Sequence, residues 1–335
     1  MRNFFVSMAI IAICTFILTG QATRAVAAQK SGDITKIVIE TPIEAPVDTI
    51  FDESYPKGKF SFKLTPMGPY KLFDDFYYIG TNSVGSFVID TSAGLILIDA
   101  GWGATDCGSM MSDLQKLGFN PKDIEMILLS HEHIDHYGCV KEWKNTACPS
   151  AKVALTQLGW NYLRTWPAEA AFGGSRPESI DMYLTDGQRI QLGNTTVEVV
   201  FTPGHSPGCV SFIFPVRDRG EKHVVGLMGG SSVPGTWNEA LVYHTSVEYF
   251  KQKSIEAKCD VGLAVHAKQY KDDFEKIPTL QPGVPHPLVL GTERYVTEYI
   301  ESYYENARRQ FDRLKPQHFQ MRGGRGSGPP QPLKQ

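Results

Sequence analysis

The sequence predicts a mixed α/β domain of two packed sheets covered by helices, and three observations carry that prediction. Short apolar runs bounded by turn residues recur from Phe76 onward, helical periodicities intervene between them, and each half of the chain sets a histidine just past a strand end. With 335 residues, 42% hydrophobic and 21% charged, the chain can form one large globular domain or two small ones with a sizeable core.

Residues 1–28 have Arg2, an apolar stretch from Phe4 to Leu18 and the small residues Ala25-Val26-Ala27-Ala28, the pattern of a signal peptide with its cleavage site. Export, to a periplasm or beyond the cell, is the expectation. A membrane anchor is the alternative, but the apolar stretch is short for a span of about 20 residues. Cys14 follows Ile13, not the small residue a lipidation signal wants. Residues 29–70 are polar and Pro-containing, with a short alternating piece at Lys36 to Glu40, and read as an N-terminal extension.

The main domain is expected over residues 71–275. Its strands are read at 77–80, 86–90 and 95–99, the last two joined by the turn Thr91-Ser92-Ala93-Gly94, and a helix at Gly108–Leu117 is closed by Gly118. Ile124–Leu129 forms the next strand. Strands follow at Arg189–Leu192, Val197–Phe201, Ser211–Phe214, Val224–Met228 and Val261–Val265, with a helix at Ser246–Lys258. Residues 276–320 hold a loop and a helix at Thr292–Leu314, with Val296, Tyr299, Ile300, Tyr303, Ala307 and Phe311 at core spacing. The Gly/Pro-rich residues 321–335 read as a disordered tail.

The chemistry concentrates at His131-Glu132-His133-Ile134-Asp135-His136, which directly follows a predicted strand. Imidazole and carboxylate at this density are ligands suited to divalent zinc, since a strand ending in a tight loop can fan side chains toward one point. His205, in Thr202-Pro203-Gly204-His205-Ser206-Pro207-Gly208, and His266, after Cys259-Asp260-Val261-Gly262-Leu263-Ala264-Val265, have the same placement past strand ends. His266 alone would read as an ordinary packed histidine; the Pro-Gly brackets around His205 mark a fixed loop.

These motifs, with Leu97-Ile98-Asp99-Ala100-Gly101 upstream, resemble the metallo-β-lactamase superfamily, and within it subclass B3, over about Phe73 to His266. The resemblance implies a four-layer αβ/βα sandwich and two zinc ions, the first held by His131, His133 and His205, the second by Asp135, His136 and His266. Three imidazoles with one open position suit a catalytic zinc. Superfamily relatives such as glyoxalase II use a bridging aspartate after a later strand, and other lactamase subclasses a cysteine; here that stretch is Leu227-Met228-Gly229-Gly230-Ser231-Ser232 and offers neither.

The implied activity is an exported hydrolase in which a zinc-bound hydroxide opens a β-lactam ring, with Asp135 as a ligand that also orients the hydroxide. Hydrolysis of a lactone or another ester or amide is the second expectation, and a non-catalytic zinc-binding protein the third. Ser231 and Ser232 are candidate substrate contacts, with ordinary turn chemistry as the competing reading. Gly230 and Thr236-Trp237 depart from the serine and tyrosine usual in the subclass. Asp99 is expected to orient the ligands from behind. Glu132 should face away from the metal into solvent, and Trp160, Trp166 and Phe172 either line a groove or simply pack.

The formal net charge is −3, and −5 without residues 1–28, so no basic surface speaks for nucleic acid. A small-molecule substrate and no stable membrane insertion are expected, and the oligomeric state is left open. Without Cys14 five cysteines remain, an odd count that leaves at least one unpaired. Cys139 and Cys148 are near enough in sequence to be tried as a pair, and the sequence leaves the pairing open.

Overall fold

The computed structural model describes residues 64–103, 106–166 and 174–316. The expected signal peptide, most of the N-terminal extension, Phe172 and the C-terminal tail lie outside them.

The first sheet has seven strands in sequential order: β1 (Tyr70–Phe73), β2 (Phe76–Gly80), β3 (Gly85–Thr91), β4 (Gly94–Ile98), β5 (Ile124–Leu128), β6 (Lys152–Thr156) and β7 (Met182–Leu184). Pairing is antiparallel from β1 to β4 and parallel from β4 to β7. The second sheet runs β12-β11-β10-β9-β8, from β8 (Arg189–Leu192), β9 (Thr195–Phe201), β10 (Val210–Asp218), β11 (Glu221–Met228) and β12 (Val261–Ala264). Only β11 and β12 are parallel within it.

The apolar runs are explained by burial on both sheet faces. In β2 to β4, Phe76, Tyr78, Phe87, Ile89, Ile96 and Ile98 point into a core shared with Val199, Phe212, Phe214 and Leu227 of the second sheet. Their alternates Tyr77, Ile79, Val88, Leu95 and Leu97 pack outward against Met110 and Leu114 of helix α1 (Cys107–Lys116) and against Trp143. On the far face of the second sheet, Val200, Ile213 and Met228 meet helix residues Tyr243, Val247, Phe250, Tyr295 and Ile300. Three apolar interfaces separate four layers, the αβ/βα sandwich that the resemblance implied.

The short helices α2 (Ile134–Tyr137) and α3 (Val140–Glu142) follow β5, and α4 (Gln157–Leu163) follows β6. The expected helix at 246–258 is α5, Trp237–Ala257, which begins nine residues earlier than read. Its start is capped by Thr236, whose hydroxyl accepts from the Glu239 N–H and donates to the Glu239 carboxylate. Helix α6 (Lys271–Lys276) precedes α7 (Gly291–Arg294) and α8 (Glu301–Leu314), which are joined by a π-helical segment at Tyr295–Ile300. The segment shifts the buried side by one residue, so Tyr295 is fully buried while Val296 is only partly so. Among the described residues no helix is long and apolar enough to cross a membrane.

Cys107 at the start of α1 is bonded to Cys139 just after α2, which corrects the Cys139–Cys148 candidate; Cys148, Cys209 and Cys259 are free and buried. Cys148 is turned toward the Trp143 carbonyl instead. The bond closes a loop whose ends are 32 residues apart and which contains the whole histidine cluster up to His136. By chain entropy such a crosslink stabilises by about 3–4 kcal/mol. Replacing both cysteines by alanine should lower the unfolding free energy in urea by that amount, and reductant should then leave the variant unchanged; equal stability of variant and parent would refute the assignment of this crosslink as a stabilising one.

Candidate metal centre

The site is built from strand ends. Strands β4 and β5 are parallel neighbours, so Asp99 and Ser130-His131 leave the same edge of the first sheet, while His205 follows β9, Gly229–Ser232 follow β11, and His266 follows β12. Ligands commonly bind at the carboxyl ends of parallel strands, where loops converge.

The structure brings the six sequence-predicted ligands together as two triads. His131, His133 and His205 offer ligand atoms within 4.8 Å of one another, and so do Asp135, His136 and His266. His131 Nε2 is 3.1 Å from His133 Nδ1, and Asp135 Oδ2 is 3.4 Å from His136 Nε2 and 3.6 Å from His266 Nε2. The triads adjoin, since the His131 and His136 rings have centroids 3.9 Å apart.

Three of the imidazoles, His131, His136 and His205, are oriented through their other nitrogen, which decides which atom faces inward. His136 Nδ1 donates to Asp99 Oδ2 at 2.7 Å. Asp99 also accepts from the Ser130 N–H at 2.7 Å and the Ser130 hydroxyl at 2.9 Å. With its proton given to Asp99, the Ser130 oxygen accepts from His131 Nδ1 at 3.0 Å, leaving Nε2 free to bind. His205 Nδ1 donates to the Ser232 carbonyl at 2.9 Å. Asp99 thus has the orienting position expected of it, and Ser130 is a member that the sequence reading missed.

Glu132 faces away from the triads as expected, but it is buried rather than solvated. Its carboxylate accepts from the Ser206 hydroxyl at 3.0 Å and the Gly208 N–H at 3.2 Å, so the residue between two ligands fastens the loop bearing a third. Ser231 and Ser232 line the cleft beside His266, where Ser232 contributes its carbonyl to His205. Trp160 and Trp166 pack against the outer core of the first sheet.

The electrostatics suit a cation. Burial, reinforced by neighbouring imidazoles, pushes His131 and His133 well below the ordinary histidine range and His205 down to about 4, so these rings are neutral at pH 7. Burial would raise Asp135, but the adjacent His136, His266 and His133 outweigh it and hold the carboxylate ionised. Burial would lower His136, yet Asp135 and Asp99 on either side push it up to about 10, so a metal at Nε2 would have to displace a proton there. His136 Nε2 is buried with no hydrogen-bond partner. A buried nitrogen without a partner, aimed at a carboxylate and two sets of imidazoles, fits a bound metal, because unpaired buried polar atoms are otherwise costly.

Gly230 explains one departure noted in the sequence. A Cβ there would lie 2.5 Å from the Cβ of His205 and 2.9 Å from Cys209 Sγ, so the close approach of this loop to a ligand requires glycine. Gly230→Ser should therefore displace His205 and lower metal loading, measured by metal analysis of the purified variant; unchanged loading with improved substrate binding would refute this. Asp99 has φ 60°, a conformation that asparagine tolerates, so Asp99→Asn removes charge without backbone strain. The substitution should weaken metal binding by about 10–100-fold in a chelator competition, and parent-like affinity would contradict the orienting role.

Comparison with known proteins agrees with the geometry. Residues 79–219 match the metallo-beta-lactamase superfamily. BJP-1, a subclass B3 metallo-beta-lactamase of Bradyrhizobium japonicum, is similar in structure with a TM-score of 0.60 and 28% identity, covering 75% of this chain and 97% of that one. In sequence the chain is 25% identical over 193 residues to an atrochrysone carboxyl ACP thioesterase of Passalora fulva, covering 57% of this chain and 49% of the relative. It is 30% identical over 112 residues to the N-acyl homoserine lactonase AttM of Agrobacterium fabrum, covering 31% and 40%. The chain spans about half or less of the length of these two curated relatives. With its sandwich fold and histidine-rich strand-end site, the chain matches the metallo-beta-lactamase superfamily over residues 79–219, and its structural likeness is to subclass B3.

Proposed function

We propose that the protein is an exported, dinuclear zinc hydrolase that opens β-lactam rings. The single observation that carries this reading is the meeting of two three-ligand sets, three imidazoles beside an aspartate and two imidazoles, at one sheet edge. The likeness to BJP-1 over nearly all of that enzyme supports the choice of substrate. The disulfide, which needs an oxidising compartment to persist, supports export.

His131, His133 and His205 would hold one zinc and Asp135, His136 and His266 the other. Zinc so held lowers the pKa of a water toward about 7 and polarises a carbonyl. The chain's own groups prepare that chemistry. Asp99, Ser130 and the Ser232 carbonyl fix the rings so that no reorganisation is needed during reaction. Asp135, kept ionised by its histidine neighbours, can accept a hydrogen bond from a water and hold it in line with the substrate. Cys209 lies behind Gly230, fully buried, and burial pushes its thiol far up, so a thiolate nucleophile plays no part.

A second reading is hydrolysis of a lactone, thioester or other ester, since the chain has glycine at 230 in place of the serine usual in the subclass. The thioesterase and lactonase relatives point the same way. Zinc-loaded protein is expected to contain two metal ions and to hydrolyse at least one of a penicillin, a cephalosporin and a carbapenem, with activity lost to chelator and restored by zinc. Turnover confined to lactones or thioesters would transfer the proposal to the second reading. Two bound ions without turnover on any of these would sink both.

A further inference from the structure

Two cavities meet beside His266. The cleft that His266 lines has a volume of about 650 Å³, and Lys268 stands in its wall. A second cavity of about 510 Å³ lies between the 3-10 turn Ala267–Tyr270 and the C-terminal helix, walled by Tyr270, Tyr299, Tyr303 and Arg309. Ser231 and Gln269 line both, so the two spaces are neighbours. The second lies wholly on residues outside the span matched to the superfamily.

The walls have a consistent chemistry. No aspartate or glutamate lines either cavity, and each contains one cation. Arg308 takes the carboxylate of Glu305 at 2.9 Å, and neither Arg309 nor Lys268 forms a salt bridge among the described residues. Unpaired cations in acid-free, partly enclosed walls concentrate positive potential where an anion would enter. The tyrosines supply flat, amphipathic surface for a planar group, and the Tyr270 hydroxyl is buried without a hydrogen-bond partner of standard geometry.

Resting on the hydrolase reading above, we propose that the substrate is an anion with a planar side arm: Lys268 holds a carboxylate near the reacting bond, and the tyrosine-walled cavity takes the arm, with Arg309 meeting an acceptor or second anionic group on it. Neutral lactones with plain alkyl chains fit this pair of cavities poorly, because they leave both cations unpaired and the tyrosine faces without a stacking partner.

Two measurements separate this proposal from the activity on which it rests. The first uses metal-free protein and the probes 4-carboxyphenylacetate and neutral phenylacetamide, titrated by calorimetry. The dianion should bind at least about tenfold tighter, the preference should weaken with added salt, and Arg309→Gln and Lys268→Gln should each lower its affinity about fivefold. Both are exposed positions, so folding is not at stake. Equal binding of the two probes, or no change in either variant, overturns the proposal whether or not the protein is a hydrolase. The second compares turnover of β-lactams with and without a carboxyphenyl arm: Arg309→Gln should raise KM about tenfold for the armed substrate alone and leave kcat unchanged. Hydrolysis in which the arm makes no difference would leave the hydrolase reading standing and end this one.

Discussion

Asp99 stands at the end of β4 with a left-handed backbone, 1% exposed, and its carboxylate is shared by the Ser130 N–H, the Ser130 hydroxyl and His136 Nδ1. A buried carboxylate is tolerable only when its lone pairs are met in this way. Much of the site follows from it. Ser130 uses every polar atom it has: N–H and hydroxyl toward Asp99, hydroxyl oxygen toward His131, and carbonyl toward the Val210 N–H of the second sheet. One residue pair therefore sets a ligand of each triad and ties the two sheets at the edge where both triads sit. A ligand set spread over more than 130 residues of chain can be preorganised only because its orienting groups belong to the framework rather than to mobile side chains.

Much of this was legible in the sequence, and the reason is local. His131, His205 and His266 each lie within four residues of a strand end, and apolar strands buried on both faces announce themselves as continuous runs, as at Ile96–Ile98 and Ile127–Leu129. What was not legible depends on contacts between distant segments. Ser130 looks like any serine until Asp99 is placed beside it from a neighbouring strand. Ser232 offered its side chain to the reader, but the group that holds His205 is its carbonyl, which no residue type encodes. Glu132 was placed correctly away from the metal by alternation, yet its burial arises from a loop more than 70 residues away. Cys148 was the nearer partner for Cys139 along the chain, and Cys107 the nearer in space.

Two errors had signals that could have been used. Thr236 followed by Glu239 is a capping-box pattern and marks the start of α5 nine residues before the apolar spacing becomes clear. The glycines of β11 and β12 are the other. A Cβ on Gly226 would lie 2.0 Å from the Tyr295 hydroxyl, and one on Gly262 2.4 Å from the Tyr299 ring. Glycine in a strand interior marks close approach of something else, and here it records the seat of the C-terminal segment.

That seat links fold to specificity. With Tyr295 and Tyr299 pressed onto glycines, and the Tyr299 hydroxyl donating to the Leu263 carbonyl, the helix cannot slide along the sheet without losing the contact. Its next turns then bring Tyr303 and Arg309 beside Gln269, three residues past the last histidine ligand. The catalytic half of the site is fixed by strand ends, whereas the half that would meet the substrate is fixed by a helix outside the superfamily-matched span. Substitutions on the exposed side of that helix can change what enters the cleft while Asp99, Ser130 and the histidines keep their geometry, because the helix rests on the far face of the second sheet whereas Asp99 and Ser130 follow strands of the first.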